Sequence, residues 1–155
     1  MDKDISVRKA KADNIEQIKE ILFSSLEEYK IVVQDNYSVS DIDSIILENN
    51  SNRVFVLQRN ISVIGFIVLQ PITNECIELK RLYLTSSERG RGLGAYLLNY
   101  AIHFAHKNKY RSIRLETTSK FEEAVSLYKK NGFTVLKGAE KAPGHDLVFE
   151  KSVWP

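Results

Sequence analysis

The residues best suited to chemistry lie in Arg89-Gly90-Arg91-Gly92-Leu93-Gly94, which runs straight into Ala95-Tyr96-Leu97-Leu98. Three glycines in five positions let the backbone approach a ligand closely and adopt conformations closed to other residues. The segment after them reads as a helix, so its first turn offers unpaired N–H groups and the positive end of the helix dipole. Two arginines in the same turn make this an anion site, and a phosphate or pyrophosphate is the expected guest. A plain tight turn needs one glycine and no guanidinium.

The flanking sequence supplies the elements that must hold this loop. Ile5 to Ala10 alternates apolar and polar residues, as a short strand does. Asp13, with Glu16 three residues on, predicts an N-cap, and Ile15, Ile18, Ile21, Leu22 and Leu26 then form one face of a helix. Glu27 to Val39 reads as a mixed loop containing Tyr29, Asp35, Asn36 and Tyr37; a shorter helix is expected from Ser40, with Ile42, Ile45 and Ile46. Val54–Leu57 and Val63–Leu69 are β-branched and aromatic runs joined by a hairpin through Arg59-Asn60-Ile61-Ser62. Glu75 to Thr85 is the next strand, with Ile77, Leu79 and Tyr83 on one parity and Glu78, Lys80, Leu82 and Leu84 on the other. A helix from Leu93 to Lys107 continues from the loop, and Ser112 to Thr117 is a strand. Ser119 with Glu122 predicts a capping box for a helix that stops at Asn131-Gly132, where glycine supplies a left-handed cap. Phe133 to Leu136 and Asp146 to Phe149 are the last strands. The order β-α-α-β-β-β-α-β-α-β-β predicts an α/β (or α+β) fold with one mixed, largely antiparallel sheet of about seven strands and helices on both faces.

Bulk composition narrows the function. At 155 residues, 43% apolar and 27% charged, the chain is expected to form one domain spanning 1–155 with an ordinary globular core. Its 22 basic and 20 acidic residues leave a formal charge of +2, which gives no nucleic-acid or membrane surface. Cys76 is the one cysteine, so no intrachain disulfide forms, and with no signal peptide or membrane-length apolar run a cytoplasmic location is expected. His103 and His106 stand three apart on a helix, but no carboxylate or cysteine completes a metal set, and no metal is expected. Trp154 is expected to pack on its own domain or on a second subunit of a homodimer.

Two phosphate-loop motifs can be tested against the loop. The Gly-Lys-Ser/Thr ending of a P-loop is absent, since Gly94 is followed by Ala95 and Tyr96. A relaxed dinucleotide fingerprint is present in Gly90, Gly92 and Ala95, with Glu116 near the ribose-binding distance. Against it, Glu78 to Tyr83 is too charged for a strand buried on both faces, and the chain after Glu116 is too short for a doubly wound sheet.

The loop instead resembles the Arg/Gln-x-x-Gly-x-Gly/Ala motif of the GNAT superfamily of N-acetyltransferases. Glu78-Leu79-Lys80-Arg81-Leu82-Tyr83-Leu84 is similar to the strand that precedes it in many bacterial members, and Tyr110 to Thr117 and Ala124 to Phe133 resemble the strand and helix beyond it. The element order agrees from end to end. Two positions depart: Ser86 replaces a proline common before the loop, and Phe121 replaces an asparagine that contacts the cofactor.

The resemblance implies acetyl-CoA as cosubstrate and a primary amine of a small molecule or peptide as acceptor. Cofactor contacts are implied at Leu82, Leu84, Arg89, Gly90, Arg91, Gly92, Leu93, Gly94, Ala95 and Tyr128. The loop amides would hold the pyrophosphate, Arg89 and Arg91 would neutralise it, and the Leu84 backbone would lie beside the thioester. An alkylamine with a pKa near ~10.4 must lose a proton before attack, and the leaving thiolate must regain one. Tyr128, four residues before Gly132, is the implied acid, and Glu78, on the parity of Leu84, is the leading candidate base. His145 and Asp146 are the alternative base, as is deprotonation by solvent. By the same resemblance the segment from Glu27 to Val39 would overhang the acceptor site: Glu27, Glu28 and Asp35 would either draw a cationic amine or form a plain polar loop, and Tyr29 and Tyr37 would either line its pocket or cover the core. A non-catalytic coenzyme A-binding module and a nicotinamide-binding protein are the rival readings.

Overall fold

The computed structural model describes residues 4–28, 53–142 and 144–154. Tyr29, Asp35, Asn36 and Tyr37, the helix expected from Ser40 and the loop residue Pro143 lie outside the described residues. The elements are β1 (Ile5–Lys9), α1 (Ile15–Glu28), β2 (Arg53–Arg59), β3 (Ser62–Pro71), β4 (Cys76–Leu84), α2 (Leu93–Lys107), β5 (Ser112–Thr117), α3 (Glu122–Lys130), β6 (Thr134–Val135) and β7 (Leu147–Ser152). The strands form one sheet in the order β1-β2-β3-β4-β5-β7-β6. Every neighbouring pair is antiparallel except β4 and β5. This is the mixed sheet that the element order predicts, and it is not the parallel sheet of a dinucleotide-binding fold.

Each face of the sheet carries its own core. On one, Ile18, Leu22 and Leu26 of α1 pack on Val56, Phe66 and Val68. On the other, Leu97, Leu98 and Ala101 of α2 and Tyr128 of α3 meet Leu69, Ile113 and Phe149. The apolar spacing of α1 accounts for its buried side, which also takes in Ser25. Trp154 sits on its own domain, its ring 6.2 Å from that of His106, and is 48% exposed.

Three local expectations give way to other contacts. Asp13 is exposed within a 3-10 turn, and the capping oxygen is Asn14 Oδ1, which accepts from the Lys11 N–H and from Arg8. Asn14 satisfies groups on both sides of the β1–α1 turn from a buried position, which the exposed Asp13 cannot reach. Ser119 forms no capping box with Glu122; its N–H and hydroxyl both donate to the Asp146 carboxylate, at 2.7 and 2.6 Å.

The third concerns β4. Leu79 pairs with Leu69 and Arg81 with Val68, so Lys80 is an extra residue, a β-bulge. One inserted residue reverses the facing of everything beyond it. Ile77 and Leu79 face the α2 core before the bulge, Leu82 and Leu84 face it afterwards, and Tyr83 turns to the α1 core, stacked on Phe66 at 5.7 Å. The parity shared by Glu78 and Leu84 in the sequence is therefore broken, and the two lie on opposite faces.

Gly65 is where strand and bulge fit most tightly. A Cβ there would meet Leu84 Cδ2 at 2.7 Å and the Tyr83 carbonyl oxygen at 2.9 Å. Because one of these is backbone, Gly65→Ala is expected to cost about 1–3 kcal/mol, read as a lower midpoint in denaturant unfolding.

Candidate functional site

The site begins where two parallel strands part. β4 and β5 pair only at Cys76–Ser112, Ile77–Ile113 and Glu78–Arg114, although β4 runs on to Leu84 and β5 to Thr117. The gap beyond Glu78 opens on the α2–α3 face as a cleft of about 650 Å³. Its walls are Leu82 and Leu84 of β4, the loop at Gly90 and Gly92, and Leu127 and Tyr128 of α3. Arg89, Gly94, Ala95 and His145 also border it.

The glycine loop is built as its composition predicts. Gly90 and Gly92 have φ of 76° and 82°, and a Cβ on either would meet no heavy atom within 4 Å. The space beside them is open and not taken up by packing. Gly92 is the N-cap of α2 and supplies no side-chain acceptor, so the first-turn N–H groups face the cleft mouth with the helix dipole behind them. This arrangement suits a pyrophosphate. Gly94 is different: it lies in the helix, where a Cβ would make ordinary van der Waals contact with Leu127 Cδ2 at 3.4 Å.

The remaining loop residues divide. Leu93 is 5% exposed and belongs to the core, so only its backbone can serve the cleft. Arg91 is 60% exposed on its side chain and lies 3.4 Å from Glu88. The Arg89 guanidinium is ion-paired with Glu28 and donates to Ser25 Oγ at 3.3 Å and to the Leu84 carbonyl at 3.2 Å. Both side chains thus have carboxylate partners within the protein, and the Arg89–Glu28 pair, 61 residues apart, is one that the sequence does not foretell.

Tyr128 is placed by the end of its own helix. The Gly132 N–H donates to the Lys129 carbonyl at 3.2 Å and the Phe133 N–H to the Tyr128 carbonyl at 3.0 Å, with Gly132 at φ 88°. This Schellman pair fixes the last turn of α3. The ring packs between Phe133 and Phe149, at centroid distances of 6.0 and 5.9 Å. Burial raises the phenol above its ordinary pKa, and Tyr83 adds to the shift. Tyr128 is therefore a protonated donor throughout the neutral range.

Glu78 stands apart from the Tyr128 cleft. It lines a second cavity of about 440 Å³, with Gln70, Arg114, Glu116, Glu140 and Val148. Glu116 borders both cavities, and its carboxylate accepts from the Ala142 N–H at 2.8 Å. Glu78 is raised above the ordinary carboxylate range, first by burial and then by the charge of Glu116, against smaller opposing contributions from Lys80 and Arg114. Of the alternative base residues, His145 borders the Tyr128 cleft, whereas the Asp146 carboxylate is committed to Ser119, which lowers its pKa. Sequence reasoning missed Tyr83 and Glu88 and read Glu116 only as a ribose contact. Glu88 and Arg91, three apart, had a local signal; Tyr83 had none, because the bulge decides its direction.

Comparisons with known proteins bear on the family and the fold. An uncharacterized N-acetyltransferase of Bacillus subtilis (strain 168) is 27% identical over 135 residues, covering 83% of this chain and 89% of its own length. A GNAT-family acetyltransferase of Staphylococcus aureus Mu50 superposes with a TM-score of 0.84 at 20% identity, covering 97% of this chain and 99% of its own. The PaiA N-acetyltransferase of Thermoplasma acidophilum, in complex with coenzyme A, gives a TM-score of 0.74 at 27% identity over 96% of this chain and 98% of its own. Among the described residues no helix is long and apolar enough to cross a membrane. Residues 15–133 match the acetyltransferase (GNAT) family, and the chain belongs to that family of transferases.

Proposed function

We propose that the protein transfers the acetyl group of acetyl-CoA to a primary amine of a small molecule or peptide, by direct attack and without an acyl-enzyme. The observation that carries this reading is the placement of the open glycine loop and the buried Tyr128 phenol on the walls of one cleft. Acetyl-CoA supplies the activated acyl thioester. The N–H groups of Gly90 to Ala95 hold its pyrophosphate, and Leu82 and Leu84 flank the arm that reaches towards Tyr128. Tyr128, protonated at neutral pH, donates a proton to the departing sulfur as the C–S bond breaks.

The acceptor enters from the opposite face, where Glu78 lies. Its raised pKa brings a carboxylate closer to the range in which it can take a proton from an ammonium, directly or through water. The sheet then separates the two roles: the acid stands on the helix side of the gap and the base on the α1 side. Glu116, bordering both cavities, marks their junction.

Three outcomes test these assignments. Tyr128→Phe is expected to lower kcat by about 10²-fold or more with little change in the KM for acetyl-CoA, in steady-state thiol-release assays. Gly92→Val forces a β-branched residue to φ 82° and fills the open space, so the KM for acetyl-CoA rises. The acidic limb of kcat/KM follows ionisation of Glu78: Glu78→Gln removes it, while Glu116→Gln removes a like charge and moves the limb to lower pH. An unchanged limb in Glu78→Gln transfers the base role to His145 or to solvent.

A further inference from the structure

Glu88 is a carboxylate beside a site suited to an anion. It is 8% exposed and ends the turn Ser86–Glu88, immediately before the glycine loop. Its two oxygens accept from Arg59 Nε at 2.9 Å and Nη2 at 3.0 Å, a bidentate pair, and Arg91 Nη1 lies 3.4 Å from Oε1. Arg59, the last residue of β2, also donates to the two Asp4 oxygens at 3.3 and 3.2 Å. Across the loop, Arg89 is held by Glu28 at the end of α1.

Among the described residues, the three arginines around the loop pair with three carboxylates, Asp4, Glu28 and Glu88. With these guanidinium groups engaged by carboxylates, the N–H groups of the loop and the helix dipole remain as an attraction for an anion. These are directional, so they depend on where the backbone is held. By charge alone Glu88 repels the ligand; by geometry it ties the turn to the β2–β3 hairpin and aims Arg91.

We propose that Glu88, braced by Arg59, is a positioning residue for the donor's phosphates: an acidic side chain on which an anion site depends. The inference rests on reading the loop as the coenzyme A pyrophosphate site. It predicts a sign opposite to simple electrostatics. Removing a negative charge near a phosphate should tighten binding by Coulomb's law, whereas removing a brace should weaken it.

The test is coenzyme A binding by calorimetry to wild type, Glu88→Gln, Arg59→Gln and the double variant, with amide hydrogen exchange over residues 86–95 of the free proteins. Glu88→Gln is expected to weaken coenzyme A by roughly three- to tenfold and to speed exchange in the loop, and the double variant to be no weaker than the worse single one. In turnover, the KM for acetyl-CoA rises while kcat and the KM for the amine stay within about twofold, a split that general destabilisation does not produce. Equal or tighter binding by Glu88→Gln, with unchanged loop exchange, overturns the positioning role. Wild type that binds no coenzyme A overturns the donor reading itself.

Discussion

The structure depends on the parting of β4 from β5. Up to Glu78 the two strands share a ladder; beyond it, no strand among the described residues pairs with the β5-facing side of β4. Unpaired backbone in a protein interior has to find another partner. At Leu84 the carbonyl takes a guanidinium N–H from Arg89, and along the rest of the gap the exposed edge borders the cleft. The Lys80 bulge lies within this stretch and decides which side chains look into it. Without the extra residue, Leu82 and Leu84 would point to α1 and Tyr83 to the helix face. A single inserted residue thus gives the cleft an apolar wall and sends an aromatic ring to the opposite face.

The two ends of the cleft are held in different ways. At the reacting end, apolar packing and a helix terminus fix Tyr128, and the low polarity that positions the phenol also keeps it protonated. At the glycine-loop end, ion pairs fix the backbone: Arg59 and Arg89 reach from β2 and the loop to carboxylates on β1's approach, the turn and α1. Glu28 is the last described residue of α1, so the Arg89 pair joins the glycine loop to the end of that helix.

How much of this is legible in the sequence depends on the range of the interactions involved. The loop can be read because glycine with positive φ and a helix behind it are local facts about Gly90, Gly92 and Leu93 onwards. Tyr128 can be placed because Gly132 marks the helix end four residues later. Facing along β4 cannot be read, since a bulge is defined by the partner strand and nothing in Glu78 to Leu84 announces it. Parity alone therefore sets Glu78 beside Leu84, on the wrong face. The Ser119 cap fails for a similar reason: Ser119 lies 27 positions from Asp146, and a carboxylate brought there by β7 displaces the nearby Glu122. Arg89 reads only as a cation for the phosphates because its partner Glu28, 61 residues away, is joined to it by the fold, whereas Arg91 has Glu88 three residues before it.

The central claim is that the cleft serves a reaction and not coenzyme A binding alone. It is tested most directly by counting thiol released from acetyl-CoA across a panel of small-molecule and peptide amines, with the acetylated product identified by mass. The expected result is amine-dependent release, one thiol for each acetyl group found on an amine nitrogen. Tight coenzyme A binding without amine-dependent thiol release, across a panel that spans diamines, amino acids and peptide N-termini, would contradict it.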